Sequence, residues 1–471
     1  MKIMSTNPAT GEILWEGESS TPAQVNEAVQ KAREAFNAWL YTSFDDRLDL
    51  LNNYHQLLER DHEKMAQAIS DEVGKPRWEA KTEVATMLAK LAISVGAYKD
   101  RTPVRQGELN GAKLVTRHRP HGVMGVIGPF NFPGHLPTGH IIPSLLAGNT
   151  IVFKPSEYTP YVGELIVDLM REAGIPEGVL NLVQGADETG KALAAHPDLN
   201  GLLFTGSYAT GKKLHEQFGG HPEKILALEM GGNNPLVVDE VQDMKAAILT
   251  IIQSAYISAG QRCTCARRLI VPKGSWGDQL IDRLAMTIPN IAVNIPSTDP
   301  EPFISTLIHA HAGEHVLAKQ EALIKKGGKS LVKAQSLFNN PAILSPGLID
   351  MTGITLEDEE IFGPFLQVIR VDDLQAAFVE ANNTQYGLTS GILTDDKKHY
   401  EAFYAQIHAG LVNWNKPTTG SSGTAPFGGV GHSGNHRPSA YYAADYAAYP
   451  CVSTEAPALS LPEKLPNGII L

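Results

Sequence analysis

The stretch SAGQRCTCARR, Ser258 to Arg268, sets two of the chain's three cysteines among three arginines. Thiols in such a setting can clip a metal, fill a core or act as a nucleophile. A structural zinc site takes four ligands, so Cys263-x-Cys265 would need two more, and neither a second close cysteine pair nor a Cys/His cluster supplies them. Free cysteine is among the most buried residue types, which suits Cys265 and the distant Cys451. For Cys263 the residues alone leave packing and nucleophilic attack both open. Two further groups invite chemistry: Glu229, followed by Met230-Gly231-Gly232, and Asn131, set between Phe130 and Phe132 ahead of Pro133. In isolation, the first can cap a helix or pair with an arginine, and the second can simply make a turn.

The chain that must position these groups has 471 residues, 43% of them hydrophobic, and 43 glycines, enough for two or three domains around sizeable cores. Three cysteines cannot build a disulfide framework, and their usage suits a reducing, cytoplasmic compartment. The opening MKIMSTNPATGEILWEGE lacks the apolar centre of a signal peptide, and no run approaches the length of a membrane span. A net charge of −12, from 51 acidic against 39 basic residues, with no long basic run, argues against nucleic acid as a partner.

Apolar periodicity predicts an amphipathic helix over 21–40, with Thr21 as cap, Pro22 at the first helical position, Gln24 closing a capping box, and Val25, Val29, Ala32, Phe36 and Trp39 on one face. Beyond residue 122 short apolar runs at 123–128, 150–153, 179–183, 202–205 and 225–229 alternate with helical patterns. One of these opens at Thr159-Pro160 and stops at Gly174-Ile175-Pro176. That alternation is the pattern of a parallel sheet with crossover helices, whose strand ends and helix N-termini suit phosphates. The usual G-x-G-x-x-G is absent. Phe204-Thr205-Gly206-Ser207-Tyr208-Ala209-Thr210-Gly211 instead leads from strand to helix, a weak signal by itself for nucleotide binding.

Seven segments occur in the order found in the NAD(P)-dependent aldehyde dehydrogenases: Gly128 to Pro133, Lys154 to Glu157, Phe204 to Gly211, Leu228 to Asn233, Gly260 to Cys263, Glu360 to Pro364 and Pro426 to Gly429. The chain resembles that family over nearly its whole length. The segments Arg117 to Gly122, Phe132 to Pro137, Gln261 to Arg268 and Gly434 to Ser439 resemble most a branch acting on a semialdehyde with two carboxylates.

The resemblance implies an α/β fold with a Rossmann-like NAD-binding domain (residues 1–101 and 121–231), a catalytic domain (232–432) and an oligomerisation hairpin with a C-terminal arm (102–120 and 433–471), assembled as a homodimer or a dimer of dimers. It casts Cys263 as nucleophile, Asn131 as oxyanion donor and Glu229 as general base. It also casts Lys154, Ser156, Glu157, Gly206, Ser207, Gly211, Glu360 and Phe362 as the NAD site. For the substrate's carboxylates the candidates are Arg262, His436 and Arg437, with backbone donors from the loop 418–424. The alternation at 113–118 and the aromatic segment 441–449 are compatible with strands of the arm. His436-Arg437-Pro438 departs from the family's usual Gly-Arg-Glu, and the segment 413–426 is longer than in many members.

Overall fold

A computed structural model describes residues 2–355, 357–462 and 464–471. The first sheet is fully parallel, in the order Leu180–Leu182, Thr150–Lys154, Val123–Ile127, Gly201–Gly206, Ile225–Met230. Its strands are apolar throughout because both faces are covered by helices. Pro22–Tyr41 covers one face, and its buried Val25, Val29 and Ala32 pack with Val123, Val152 and Leu202. Its predicted capping box is formed: the Thr21 N–H donates to Gln24 Oε1 at 2.8 Å, and Thr21 Oγ1 accepts from the Gln24 N–H at 3.3 Å. His135–Ala147 and the crossover helix Pro160–Glu172 cover the other face. The expected βαβ unit is therefore present. All the parallel strands end at one edge, where Gly128, Lys154, Gly206 and Met230 emerge together.

A seven-stranded sheet holds the second core, in the order Lys329–Val332, Gly347–Asp350, Phe365–Val371, Ala266–Pro272, Asn234–Val238, Thr389–Leu393, Leu411–Trp414, antiparallel only at its first pair. The chain passes from the last strand of the first sheet, through Gly231-Gly232-Asn233, directly into a central strand of the second. Glu229 thus lies at the junction between the two sheets.

A third sheet pairs the hairpin Arg105–Leu109 and Ala112–Pro120 with Ala448–Glu455, in register from Ala448↔Pro120 to Glu455↔Lys113. The Asn110-Gly111 turn has φ of 52° and 79°, as a tight hairpin requires. The strand reading of 441–449 is corrected here: only its last two residues are extended, and Ala443–Ala447 is a short helix. Alanine is the best helix former, and the small side chains of this segment seat it on the helices beneath, with Tyr446 buried.

Between the helix Met244–Tyr256 and the strand Ala266–Pro272 the backbone turns sharply: Ser258, Ala259 and Gly260 have φ of 58°, 52° and 72°. Left-handed geometry in consecutive residues, two of them not glycine, is strained and must be held by its surroundings. At Gly260 a Cβ would lie 2.0 Å from the Gly363 carbonyl oxygen, so no other residue fits. Gly260→Ala should lower stability by about 2–5 kcal/mol and abolish activity. Urea unfolding followed by fluorescence checks this, and an unchanged midpoint would show that the kink is not needed.

Candidate active site

The kink delivers Cys263 onto a loop whose carbonyls are individually held. Asn234 Nδ2 donates to the carbonyls of Cys263 (2.7 Å) and Cys265 (2.8 Å), and Arg267 donates to those of Gly260 (2.7 Å) and Arg262 (3.0 Å). Asn131 Nδ2 donates to the Gln261 carbonyl at 2.9 Å, which fixes the amide beside the cysteine and leaves its second hydrogen uncommitted. Among the described residues the Cys263 N–H donates to no other group. The Asn131 amide is thus tied to the loop that carries Cys263, two residues before it. Cys265 is fully buried with its sulfur toward the Ile257 carbonyl, a packing role.

The electrostatics are those of crowded acids. Burial pushes the Cys263 thiol well above its usual range, and the neighbouring charges of Glu229 and Glu360 add to this, against Arg267. Burial and then Glu360 push Glu229 up to about 8, offset in part by the adjacent thiol. At 4% exposure, neither Glu229 oxygen meets a close hydrogen-bond donor among the described residues beyond the looser approach of the Cys263 thiol. A buried carboxyl left unbonded is costly unless it has work to do. Glu360 is raised by burial but pairs with Arg267 Nη2 at 3.1 Å, and its Oε2 would lie 1.9 Å from a Cβ at Gly231. Gly231 is thus a glycine because Glu360 lies against its backbone.

The long helix Arg77–Arg101 fastens both sides of the site. Its buried Glu79 accepts from Arg262 Nη2 at 2.7 Å and from the Ser258 hydroxyl, gripping the strained loop just before Cys263. One turn on, Glu83 accepts from the N–H groups of Gly134 (3.0 Å) and His135 (3.1 Å), holding the segment that follows Asn131, and pairs with buried Lys75 at 2.7 Å.

A cavity of about 300 Å³ opens onto Cys263. Its walls include Phe132, His135, His140, Arg262 and Phe427, the helix positions Glu79, Thr82, Glu83, Thr86 and Lys90, and the loop residues Gly420 to Gly423. Of the three side chains expected to meet substrate carboxylates, only Arg262 borders this space, and its charge is already paired with Glu79. His436 and Arg437 are exposed and outside the cavity wall. The reason is local. The Glu229–Gly434 bridge and the Asn435 amide, bonded to Leu226 O and Leu228 N, pin the preceding turn to the strand Ile225–Met230, while His436, at φ 62°, swings outward. Lys90 is the residue that sequence reasoning missed. It is 3% exposed, lines the cavity, and its ammonium has no hydrogen bond or ion pair among the described residues.

The expected cofactor residues gather at the carboxyl edge of the first sheet. Lys154 ends its strand with Nζ bonded to the carbonyls of Pro155 (2.8 Å) and Gly185 (2.6 Å), and Glu157 lies 3.8 Å from it. Ser156 is buried in the following turn. Gly206 ends the strand Gly201–Gly206, and Ser207 caps the helix Tyr208–Phe218 by accepting from the Thr210 N–H. Of that helix's first-turn N–H groups, Thr210's is taken by Ser207, while those of Tyr208 and Ala209 have no intrahelical acceptor. Gly211 is needed for packing, since a Cβ there would lie 2.3 Å from Met230 sulfur. Phe362 sits edge-on to Phe130 at 5.9 Å, with the Arg267 guanidinium 5.2 Å from its ring. Among the described residues no group of three or more His, Cys, Asp or Glu is placed to hold a metal ion.

The sequence profile of the aldehyde dehydrogenase family matches residues 1–449. The N-succinylglutamate 5-semialdehyde dehydrogenase of Pseudomonas fluorescens (strain Pf0-1) is 53% identical over 468 residues, covering 99% of this chain and 96% of that protein. Among solved structures, the methylmalonate-semialdehyde dehydrogenase of Oceanimonas doudoroffii superposes with a TM-score of 0.92 at 25% identity, covering 98% of this chain and 96% of that one. The NADP-dependent glyceraldehyde-3-phosphate dehydrogenase of Bacillus halodurans C-125, solved with NADP, gives 0.90 at 28% identity, covering 97% and 96%.

The crowded acids set an expectation for the resting thiol. Alkylation of Cys263 by iodoacetamide, read by peptide mass spectrometry so that Cys265 and Cys451 are counted separately, should accelerate steadily from about pH 6 to about pH 9 with no plateau. A plateau near pH 7 would mean that the thiolate is already formed.

Proposed function

The chain belongs to the aldehyde dehydrogenase family, and we propose that it oxidises N-succinyl-L-glutamate 5-semialdehyde to N-succinyl-L-glutamate with NAD, in the cytoplasm, as a step of arginine catabolism. The substrate rests on the 53% identity to a relative of that name. The chemistry rests on one observation: a buried glutamate whose one neighbour able to bond it is the Cys263 thiol, on a loop tied to Asn131.

Cys263 gives up its proton to solvent through the open cavity, and its sulfur adds to the aldehyde carbon, sending the carbonyl π pair to oxygen. The Asn131 amide and the Cys263 N–H hold that oxyanion without protonating it, so the carbonyl can re-form as the C–H bond breaks with its electron pair. A nicotinamide cofactor held between Glu360 and Phe362 would supply the hydride acceptor for this step. Cys263 is left as a thioester. Glu229, in its ionised form, takes a proton from water; the hydroxide adds to the thioester carbon, and the C–S bond breaks to release the acid and the sulfur.

For the cofactor, the fit lies in the cluster at the sheet edge. Glu157 would accept from the adenosine ribose diol, the N-terminus of the helix Tyr208–Phe218 would face the pyrophosphate with Gly206 and Ser207, and Glu360 and Phe362 would bound the nicotinamide end. Lys154 is buried and committed to two carbonyls, which leaves a 2′-phosphate without a cation and favours NAD over NADP. We assign residues 1–101 and 121–231 to the NAD-binding domain, 232–432 to the catalytic domain, and 102–120 with 433–471 to an arm that joins subunits into a homodimer or a dimer of dimers. The strand Arg105–Leu109 is exposed along its whole length at the edge of the third sheet, where another chain would cover it.

Three outcomes test this reading. Across a panel of semialdehydes, kcat/KM for N-succinylglutamate semialdehyde should exceed those for succinic and glutaric semialdehydes by at least about tenfold; equal values would remove the substrate assignment. Glu229→Gln should release about one equivalent of NADH per active site and then stall. Where thioester hydrolysis limits turnover, kcat in the unsubstituted enzyme should rise with pH through about 8, because the base works only when ionised. A flat profile would separate Glu229 from the limiting step.

A further inference from the structure

A lysine held away from water needs a reason. Among the buried lysines, Lys75 has one: it pairs with Glu83 and lies 3.6 Å over the Phe132 ring. Lys154 also has one, in two backbone carbonyls. Lys90 has none among the described residues, although it is as buried as they are. Its side chain rises from the middle of the helix Arg77–Arg101 toward Gly139, where a Cβ would lie 3.5 Å from the ammonium, and it ends in the wall of the Cys263 cavity. The titratable groups facing it are Glu83 on its own helix, which is bonded to Lys75 and the 134–135 backbone, His135 and His140 on the helix His135–Ala147, and Tyr446 behind His140. Burial drives His140 down to about 3 and His135 well below its ordinary range, so both are neutral and do not supply a counter-charge.

The cavity is also long enough for a substrate with separated charges. Its helix wall runs from Glu79 through Thr82, Glu83 and Thr86 to Lys90 on one face, which at 1.5 Å per residue spans about 16 Å. At the Glu79 end the cation is Arg262, already neutralised; the uncompensated positive charge is at the Lys90 end. The hydroxyl of Ser421 lines the same space and can add a hydrogen bond to a carboxylate, whereas those of Thr86 and Ser439 already donate to the carbonyls of Thr82 and Phe427.

We propose that Lys90 is the specificity-determining cation of this enzyme, binding a carboxylate of the acidic aldehyde at the end of the cavity and so selecting it over uncharged aldehydes. This deepens the proposed function and rests on its acidic substrate class. Without a ligand, burial alone lowers Lys90 to about 8, and an incoming carboxylate supplies the charge that favours the protonated ammonium. Lys90 does not touch the reacting carbon, so its contribution appears in binding rather than in hydride transfer or hydrolysis.

The test compares the unsubstituted enzyme with Lys90→Gln, Lys90→Met and Lys90→Arg on N-succinylglutamate, succinic and glutaric semialdehydes and on an uncharged aldehyde such as pentanal. Lys90→Gln and Lys90→Met should raise KM for the preferred acidic aldehyde about 10- to 100-fold with a much smaller change in kcat. The loss with pentanal should be smaller by at least about tenfold, and Lys90→Arg should recover part of the acidic affinity. An unchanged KM for every acidic aldehyde would overturn the proposal. So would equal losses on acidic and uncharged aldehydes in both neutral variants, which would make Lys90 a structural residue. If the unsubstituted enzyme prefers a different semialdehyde of the panel, the substrate assignment fails, while a selective loss on that compound still upholds Lys90.

Discussion

Cys263, Glu229 and Glu360 share a buried region in which each negative charge opposes the others, and the rest of the structure follows from keeping them there. Burial first, and these neighbouring charges second, favour the protonated forms of the Cys263 thiol and the Glu229 carboxyl. Arg267 compensates Glu360 but not Glu229. The difference divides the labour: a carboxylate with a fixed partner keeps its place, and one without can exchange a proton with the thiol or with water.

Holding such a group of acids together takes scaffolding from outside either sheet. The helix Arg77–Arg101 contributes two carboxylates one turn apart, Glu79 to the strained loop before Cys263 and Glu83 to the backbone after Asn131. Cys263 and Asn131, which come from different sheets, are thereby referred to one rigid element. The direct bond from Asn131 to the Gln261 carbonyl closes the same arrangement. The backbone strain at Ser258 to Gly260 is sustained by these contacts and by the close approach of Gly363.

Local pattern carried a good part of this. The capped helix at 22–41 and the five parallel strands were legible because their apolar periods are long and their caps use standard chemistry. The segment 441–449 was misread as strand because its aromatics suit a sheet, whereas burial of its alanines on neighbouring helices decides for a turn of helix. Cys263, Glu229 and Asn131 were legible as candidates only through their ordered motifs; that they come together depends on contacts across more than a hundred residues, which no local signal encodes. For the same reason Arg262 stands among the carboxylate candidates in sequence, its partner Glu79 lying 183 positions away. Lys90 was passed over because a lysine in a mixed helix reads as solvated. Its one signal was that it falls eleven positions after Glu79 and seven after Glu83, on the face those buried acids define.

The account stands or falls on whether the oxidised carbon is carried on Cys263 until Glu229 releases it. The most direct measurement is mass spectrometry of the Cys263 peptide from Glu229→Gln enzyme mixed with aldehyde and NAD and quenched in acid. The account predicts one N-succinylglutamyl group in thioester linkage on that sulfur, absent when NAD is omitted. An unmodified peptide, recovered after NADH has formed, would contradict it.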